Sequence, residues 1–291
     1  MTSDAVRLHF AAVLVCFACC LAGTAGRGAE TAGLPAGFVH LREIDPTILQ
    51  DIRYASSANF TRTRVPGYLT GECILLREAA EALKLVQTDL QSRGLSLKVY
   101  DCYRPVRAVK AFMLWVRKPT AAGDMRYWPR IERSELIKLG YIAENSIHST
   151  GAAVDLTLVA FPFAQAAPFD PEIVHGACNA PWTNREPDSS LDMGTSFDCF
   201  DTMSNTVNSE ITAEQNENRR MLAGAMSARG FKNYFREWWH FTYTALASLP
   251  QAQDFAITRN NLASAAGRSR GRESVGGIPM APPAGRIDVS K

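Results

Sequence analysis

A chain of 291 residues can fold as one large domain or two small ones and bury a substantial core either way. Its 46% apolar and 21% charged residues are the balance of an ordinary soluble globular protein. Lys plus Arg (31) nearly cancels Asp plus Glu (29), which excludes the strong field that draws nucleic acid or anionic lipid and leaves a small or zwitterionic substrate as the better fit.

The N-terminus carries Arg7, then an apolar run from Phe10 to Gly23, then small residues before Arg27 and Glu30. A basic start, a short apolar core and a small-residue exit read as a secretory signal peptide over residues 1–25, with cleavage after Ala25 or after Ala29. A retained anchor is the competing reading. The run is short of the roughly 20 apolar residues that span a bilayer, so no stable membrane insertion is expected once the signal is removed. Cys16-Phe17-Ala18 ahead of Cys19 makes a poor lipidation signal. Signal removal leaves Cys73, Cys102, Cys178 and Cys199, an even number that favours disulfides in an exported protein. Three pairings are open, of which Cys73 with Cys102 and Cys178 with Cys199 is the most local. None stands in a C-x-x-C pair, so a cysteine-built zinc site has no support.

The small-residue lead-in Thr31–Gly37 places the start of the folded body near Phe38. Leu75, Ala79, Leu83, Leu85 and Leu90 recur at helical spacing and predict a helix over Cys73–Arg93, stopped by Gly94. Leu95–Tyr103 alternates like a strand. Pro105 then stands where a helix start tolerates proline best, and Val106–Lys118 reads as that helix. Ala152–Ala160 is apolar and β-rich, another strand. Residues 161–207, rich in Pro, Gly, Asn and Asp, read as a long loop region. Thr212-Ala-Glu-Gln215 forms a capping box that opens a helix to Arg229, with Gly230 as its stop. Phe231–Thr244 is aromatic and β-prone, and predicts one closing strand. The domain is expected over 38–250, and residues 261–291, dominated by Ala, Gly, Ser, Arg and Pro, read as a disordered tail. Helices and strands without regular alternation favour a single α+β domain.

Five histidines can each be weighed. His9 lies in the signal, and His40 and His175 lack ligand-like neighbours. His148 opens Ser146-Ile-His-Ser-Thr-Gly-Ala-Ala-Val-Asp155, and His240 closes Glu237-Trp-Trp-His240. Zinc takes imidazole nitrogen and carboxylate oxygen, and a catalytic site keeps a position open, so His148, Asp155 and His240 form a candidate ligand set for one zinc ion. Gly151 allows a sharp turn between the first two. Glu237, three residues before His240, falls on the same side if the segment bends, where its carboxylate suits a general base that takes a proton from an attacking water. A single His or Glu beside two tryptophans is often only a satisfied core residue, and it is the joint occurrence that points to chemistry. Arg104 ends a predicted strand in Asp101-Cys-Tyr-Arg-Pro105. It can either help an oxyanion from the sheet edge or form a surface salt bridge of small worth.

These residues resemble the D-alanyl-D-alanine dipeptidases linked to vancomycin resistance. The S-x-H-x-x-G-x-A-x-D pattern is present at Ser146, His148, Gly151, Ala153 and Asp155, E-W-W-H at Glu237–His240, and D-x-Y-R-P at Asp101, Tyr103, Arg104 and Pro105. Further likeness lies in Asp51–Tyr68, Ala108–Trp115, Met193–Asp198 and Asn216–Leu222, so that it spans roughly Leu41 to Tyr243. The His…Asp and E-x-x-H pieces also occur in related zinc D,D-carboxypeptidases, while the other forms are more particular to the dipeptidases. The resemblance implies a small α+β domain of the Hedgehog and D,D-peptidase type, with an antiparallel sheet cradling one zinc. It implies His148, Asp155 and His240 as ligands, Glu237 as base and Arg104 as transition-state stabiliser. Ser146, Asp198 and Tyr54 are implied as substrate contacts, with Asp198 meeting the free ammonium. The substrate would be a free D,D-dipeptide, and the location the periplasm. Two features depart from the pattern: Phe161–Leu191, with Cys178, is longer than the usual connection, and the tail after Asn261 is extra. A carboxypeptidase acting on peptidoglycan stem peptides, a non-catalytic wall-binding module and a metal-free adhesion protein are the alternatives, and the oligomeric state is left open.

Overall fold

A computed structural model describes residues 33–118, 124–163, 169–170 and 173–259, so the expected signal peptide and tail lie outside the described residues. In chain order the elements are β1 (Phe38–His40), α1 (Leu41–Ile44), β2 (Leu49–Gln50), β3 (Ile74–Leu76), α2 (Arg77–Gln91), β4 (Leu95–Asp101), α3 (Val106–Arg117), β5 (Ala153–Ala160), α4 (Ala213–Ser227), β6 (Phe231–Asn233) and β7 (His240–Tyr243). All described residues belong to one compact α+β unit. No helix among them is long and apolar enough to cross a membrane.

The five-stranded sheet has the order β2-β4-β5-β7-β6 and is antiparallel except at its edge, where the two-residue β2 runs parallel to β4. The expected antiparallel sheet is therefore mixed. β4 and β5 form its centre and are buried along nearly their whole length, because α2 covers one side and the aromatic cluster of Tyr54, Phe60, Phe112 and Phe197 contributes to the same core. Ala79, Ala80, Leu83, Val86 and Leu90 of α2 point into that core at intervals of three and four. Gln87, fully buried on the same helix, is satisfied rather than stranded: its amide donates to Ser96 Oγ at 2.8 Å and its carbonyl oxygen accepts from Leu97 N–H at 2.8 Å.

Three expectations need correction. The helix predicted from Cys73 begins only at Arg77, because Ile74–Leu76 pairs with Phe38–His40 as a second, two-stranded sheet. Four successive buried apolar residues fit a strand packed on both faces better than one stripe of a helix. The single closing strand is a hairpin, β6 and β7, separated by the turns of Tyr234–Trp239. Asn233 forces that interruption: its side-chain amide donates to the carbonyls of Glu237 and His240, both at 3.0 Å. Packing also continues past residue 250. Phe255 stacks on Tyr103 with centroids 4.0 Å apart, and the buried Ile257 bridges to Tyr68.

The capping box is formed as expected, with Thr212 and Gln215 exchanging side-chain-to-backbone bonds at the start of α4. Residues 161–207 contain no strand of a named sheet and no α-helix among the described ones. Disulfides join Cys73 to Cys102 and Cys178 to Cys199, the most local of the three pairings.

Candidate metal centre and substrate cavity

The sheet register builds the site. Asp101 on β4 is paired with Asp155 on β5, and Asp155 with His240 on β7, so three polar residues stand in one row across three neighbouring strands. Directly paired residues share a face. A bulge between Val99 and Asp101 is what brings Asp101 into that row, since the extra residue shifts every later side chain of β4 to the opposite face. His148 enters from a 3-10 turn over Ile147–Thr150 just before β5. Gly151 ends that turn at φ +79, and a Cβ there would collide with the Phe38 ring, so the reversal that brings His148 back over Asp155 needs glycine.

The ligand-type atoms converge. His148 Nε2 is 3.0 Å from His240 Nδ1 and 3.3 Å from Asp155 Oδ1, and His240 Nδ1 is 3.0 Å from Asp155 Oδ1. A tetrahedral cation held by bonds of about 2.0–2.1 Å needs donor atoms roughly 3.3 Å apart. The three residues fit a metal ion on that measure and on their chemistry. His148 Nδ1 faces the Cys102 carbonyl at 2.7 Å, an atom that can only accept, so Nδ1 carries the proton and Nε2 presents a lone pair inward.

Electrostatics agree with a cation-binding role. Burial by itself would raise the Asp155 carboxyl, but the His148 and His240 imidazoles outweigh it and hold the group below the usual carboxylate range. Burial lowers His240, with Asp155 pulling the other way, which favours the neutral imidazole that can ligate. Burial, with Asp155 and Asp198 repelling, raises Glu237 well above its ordinary value. A bound cation adds its own charge to this balance.

Glu237 reaches the centre from the hairpin turn rather than from a helix. Its amide donates to Tyr234 O at 3.0 Å and its carbonyl accepts from His240 N–H at 3.2 Å, and these successive turns leave Glu237 Oε2 3.9 Å from His240 Nδ1. Arg104 is neither a surface residue nor a free one. Its Nε donates to Asp101 at 2.9 Å, its Nη2 lies 2.8 Å from Asp101 and 3.4 Å from Asp155, and its guanidinium packs over the rings of Tyr54 and Phe112.

A cavity of about 510 Å³ opens over this row, and every residue singled out in the sequence lines it: Tyr54, Arg104, Ser146, His148, Asp155, Asp198, Glu237 and His240. Asp198 is 4% exposed and held at φ +58, and its hydrogen-bond partner is a neutral phenol: Tyr54 Oη donates to Oδ2 at 2.9 Å. Burial and the nearby Asp155 raise its pKa well above the ordinary value, with the Tyr54 hydrogen bond and Arg104 pulling the other way. The cavity can therefore take a small molecule with a positive group at the Asp198 end and a polar bond over the His148–Asp155–His240 row.

Two contributors escaped the sequence reading. Asp101 was noted only as part of a motif, yet it is fully buried and joins Tyr68, whose hydroxyl donates at 2.6 Å, to Arg104. The available signal was an acid three residues before the candidate arginine. The Cys102 carbonyl, being main chain, left no signal at all.

A protein family described as "D-ala-D-ala dipeptidase" matches residues 35–165 and 180–257. The gap between the two stretches falls inside Phe161–Leu191, the connection that looked long in the sequence. A D-alanyl-D-alanine dipeptidase from Enterococcus faecium is 34% identical over 206 residues, 70% of this chain and 90% of the relative. Proteins of the same name from Enterococcus faecalis and Streptomyces coelicolor are each 32% identical over the same shares. A fourth, from Escherichia coli, is 29% identical over 75% of this chain and 90% of its own.

Proposed function

The chain belongs to the D-Ala-D-Ala dipeptidase family, and on that premise we propose that it is a zinc-dependent hydrolase of the free dipeptide D-Ala-D-Ala. The observation that carries the reading is one cavity holding a His-Asp-His cluster with metal-like spacing, a buried carboxylate beside it, and a second buried carboxylate that accepts a hydrogen bond from the Tyr54 hydroxyl. His148, Asp155 and His240 would hold the zinc, which when bound supplies Lewis-acid polarisation of the scissile carbonyl and of a water. The sheet-borne cluster supports a fold of the zinc D,D-peptidase type.

The chain's own groups account for binding and proton movement. Asp198, with Tyr54 behind it, receives the substrate ammonium. An acylated amino terminus would leave that carboxylate buried and unpaired, which is costly, so free dipeptides are preferred over longer peptides. Ser146 offers a hydroxyl to the substrate from the cavity wall. Glu237 takes a proton as the water oxygen bonds to the peptide carbon, then delivers it to the departing nitrogen as the C–N bond breaks, yielding two molecules of D-alanine. Arg104 faces the charge that develops on the carbonyl oxygen, and its positions relative to Asp101 and Asp155 keep it in place.

We further infer export to the periplasm. The signal-like N-terminus motivates this, and two disulfides in a chain of this size fit an oxidising compartment. The test of the function incubates purified protein with free and N-acetylated D-Ala-D-Ala, with and without a chelator, beside Glu237→Ala. Turnover of the free dipeptide should vanish with the chelator, return with added zinc and be absent in the variant. Equal hydrolysis of both compounds would overturn the dipeptidase reading in favour of a carboxypeptidase.

A further inference from the structure

Asp198 belongs to the stretch Asp192–Asn205, whose only regular element is a 3-10 turn at Thr202–Ser204. A non-glycine residue at φ +58 in such a stretch stays put only if its surroundings hold it. One hold on this stretch comes from α4. Arg219, on α4, is 1% exposed and spends its guanidinium on main-chain carbonyls: Nε donates to Met193 O at 2.7 Å, Nη2 to Met203 O at 2.9 Å and Nη1 to Asn205 O at 2.6 Å. Those three carbonyls lie on both sides of Asp198 in the chain. Burial pushes the guanidinium down to about 10, with Asp192 only partly offsetting it. A buried cation whose guanidinium donates to three main-chain carbonyls is an expensive anchor, and it performs no step in the hydrolysis described above.

The rest of the α4 surface acts on the same loop. Asn218 Nδ2 donates to Asp192 O at 2.9 Å, and Gln215 Nε2 to Asp192 Oδ2 at 2.8 Å. Gly194 permits this closeness, since at φ +87 an added Cβ would stand 2.8 Å from Ile211 Cγ2 and 3.2 Å from Arg219 Nη2. The loop in turn grips the hairpin turn that carries the base. Trp238, next to Glu237, donates its indole N–H to Thr195 Oγ1 at 2.8 Å and its amide to Ser204 O at 3.1 Å.

We propose that Arg219 is a positioning residue whose three carbonyl bonds fix the Asp198 carboxylate at its distance from the His148–Asp155–His240 centre, and thereby set the preference for a free amino terminus. The inference rests on the reading that Asp198 receives the substrate ammonium. Only arginine's planar fork spans three acceptors, so lysine keeps the charge but loses the clamp.

The experiment measures kcat and KM for free and N-acetylated D-Ala-D-Ala in Arg219→Lys, Arg219→Met, Asp198→Asn and the double variant Arg219→Met/Asp198→Asn. The exposed, ion-paired neighbour Arg220→Gln serves as control. Loss of the clamp should raise KM for the free dipeptide about tenfold or more with a smaller change in kcat. The ratio of kcat/KM for free over acylated substrate should fall toward that of Asp198→Asn, with no further fall in the double variant. Parallel losses on both substrates at an unchanged ratio would mean that Arg219 only supports the fold, and would overturn the inference. An Asp198→Asn enzyme with wild-type selectivity would instead overturn the reading beneath it, and the inference with it. Should Arg219→Met fail to fold, Arg219→Lys and Gly194→Ala, which crowds the same guanidinium from the loop side, carry the same readout.

Discussion

The Nδ1 nitrogen of His148 lies 2.7 Å from the main-chain carbonyl oxygen of Cys102, whose side chain is bonded to Cys73. A disulfide-bonded residue thus hydrogen-bonds a candidate metal ligand through its main chain. It ties β4's end to β3, and that strand end presents the acceptor that sets the imidazole's proton and orientation.

Replacing Cys73 and Cys102 together by serine keeps the carbonyl but frees the strand end that carries it, and should weaken metal retention by up to about 10-fold, the low end of the effect of losing a partner behind a ligand. Chelator competition on the folded protein measures this. Stability should fall by about 2–4 kcal/mol, as for other native disulfides. Unaltered metal affinity would show that strand pairing alone places the carbonyl.

Glu237→Gln keeps the shape of the side chain and removes the base. The expected loss is about 10²- to 10⁴-fold in kcat, with KM and metal content nearly unchanged. A proportional loss of metal would instead make Glu237 a fourth ligand beside His148, Asp155 and His240.

Asp101→Asn should disable Arg104 without touching the cavity wall. Asp101 is fully buried, accepts from Tyr68 and Arg104, and is not a cavity-lining residue. Breaking a buried ion pair from one side costs about 3–5 kcal/mol of stability, whereas Tyr68→Phe, which removes one neutral donor, should cost about 1 kcal/mol. Activity should fall in the same order, by roughly 100-fold for Asp101→Asn if Arg104 stabilises the transition state. Equal activity in both variants would detach Arg104 from catalysis.

His40 predicts an acid-sensitive fold. Its ring is 1% exposed and neither nitrogen has a hydrogen-bond partner among the described residues. Burial lowers its pKa, with Glu43 and Glu72 pulling the other way and Arg42 adding to the fall. A histidine whose folded pKa lies below its unfolded value of about 6.5 binds its proton more readily when unfolded. Its contribution to stability is therefore complete above that pH and lost as the pH drops through it toward the folded pKa. Thermal melts should lose a few degrees, roughly, between pH 7 and pH 5, and His40→Leu should flatten that slope. Parallel slopes for the two proteins would remove His40 as the cause.

Local signals made much of this molecule legible in advance. Ala79, Leu83 and Leu90 of the predicted stripe, Pro105 before α3 and the Thr212–Gln215 box act within a few residues of themselves, so their meaning survives without knowledge of the rest of the chain, whereas Leu85 of that stripe is exposed and Val86 takes the core position. One boundary error arose where a distant partner intervened. Cys73–Leu76 left its helix because β1, some 35 residues earlier, offered a pairing edge; the break in the closing strand is instead local, with the Asn233 amide donating to carbonyls four and seven residues on.

The candidate site divides along the same line. Residue types and spacings marked His148, Asp155, Glu237 and His240 as candidates to hold a cation and move a proton, and the family resemblance implied the role of each. Only the tertiary structure decided that Asp101, Asp155 and His240 occupy one row, that the bulge after Val99 turns Asp101 onto that face, and that Asp198 meets Tyr54 across 144 positions of chain. The physical reason is strand register. A shift by one residue would send the whole row to the other side of the sheet, and register is set by the burial of entire strands against their neighbours, a property no short motif contains.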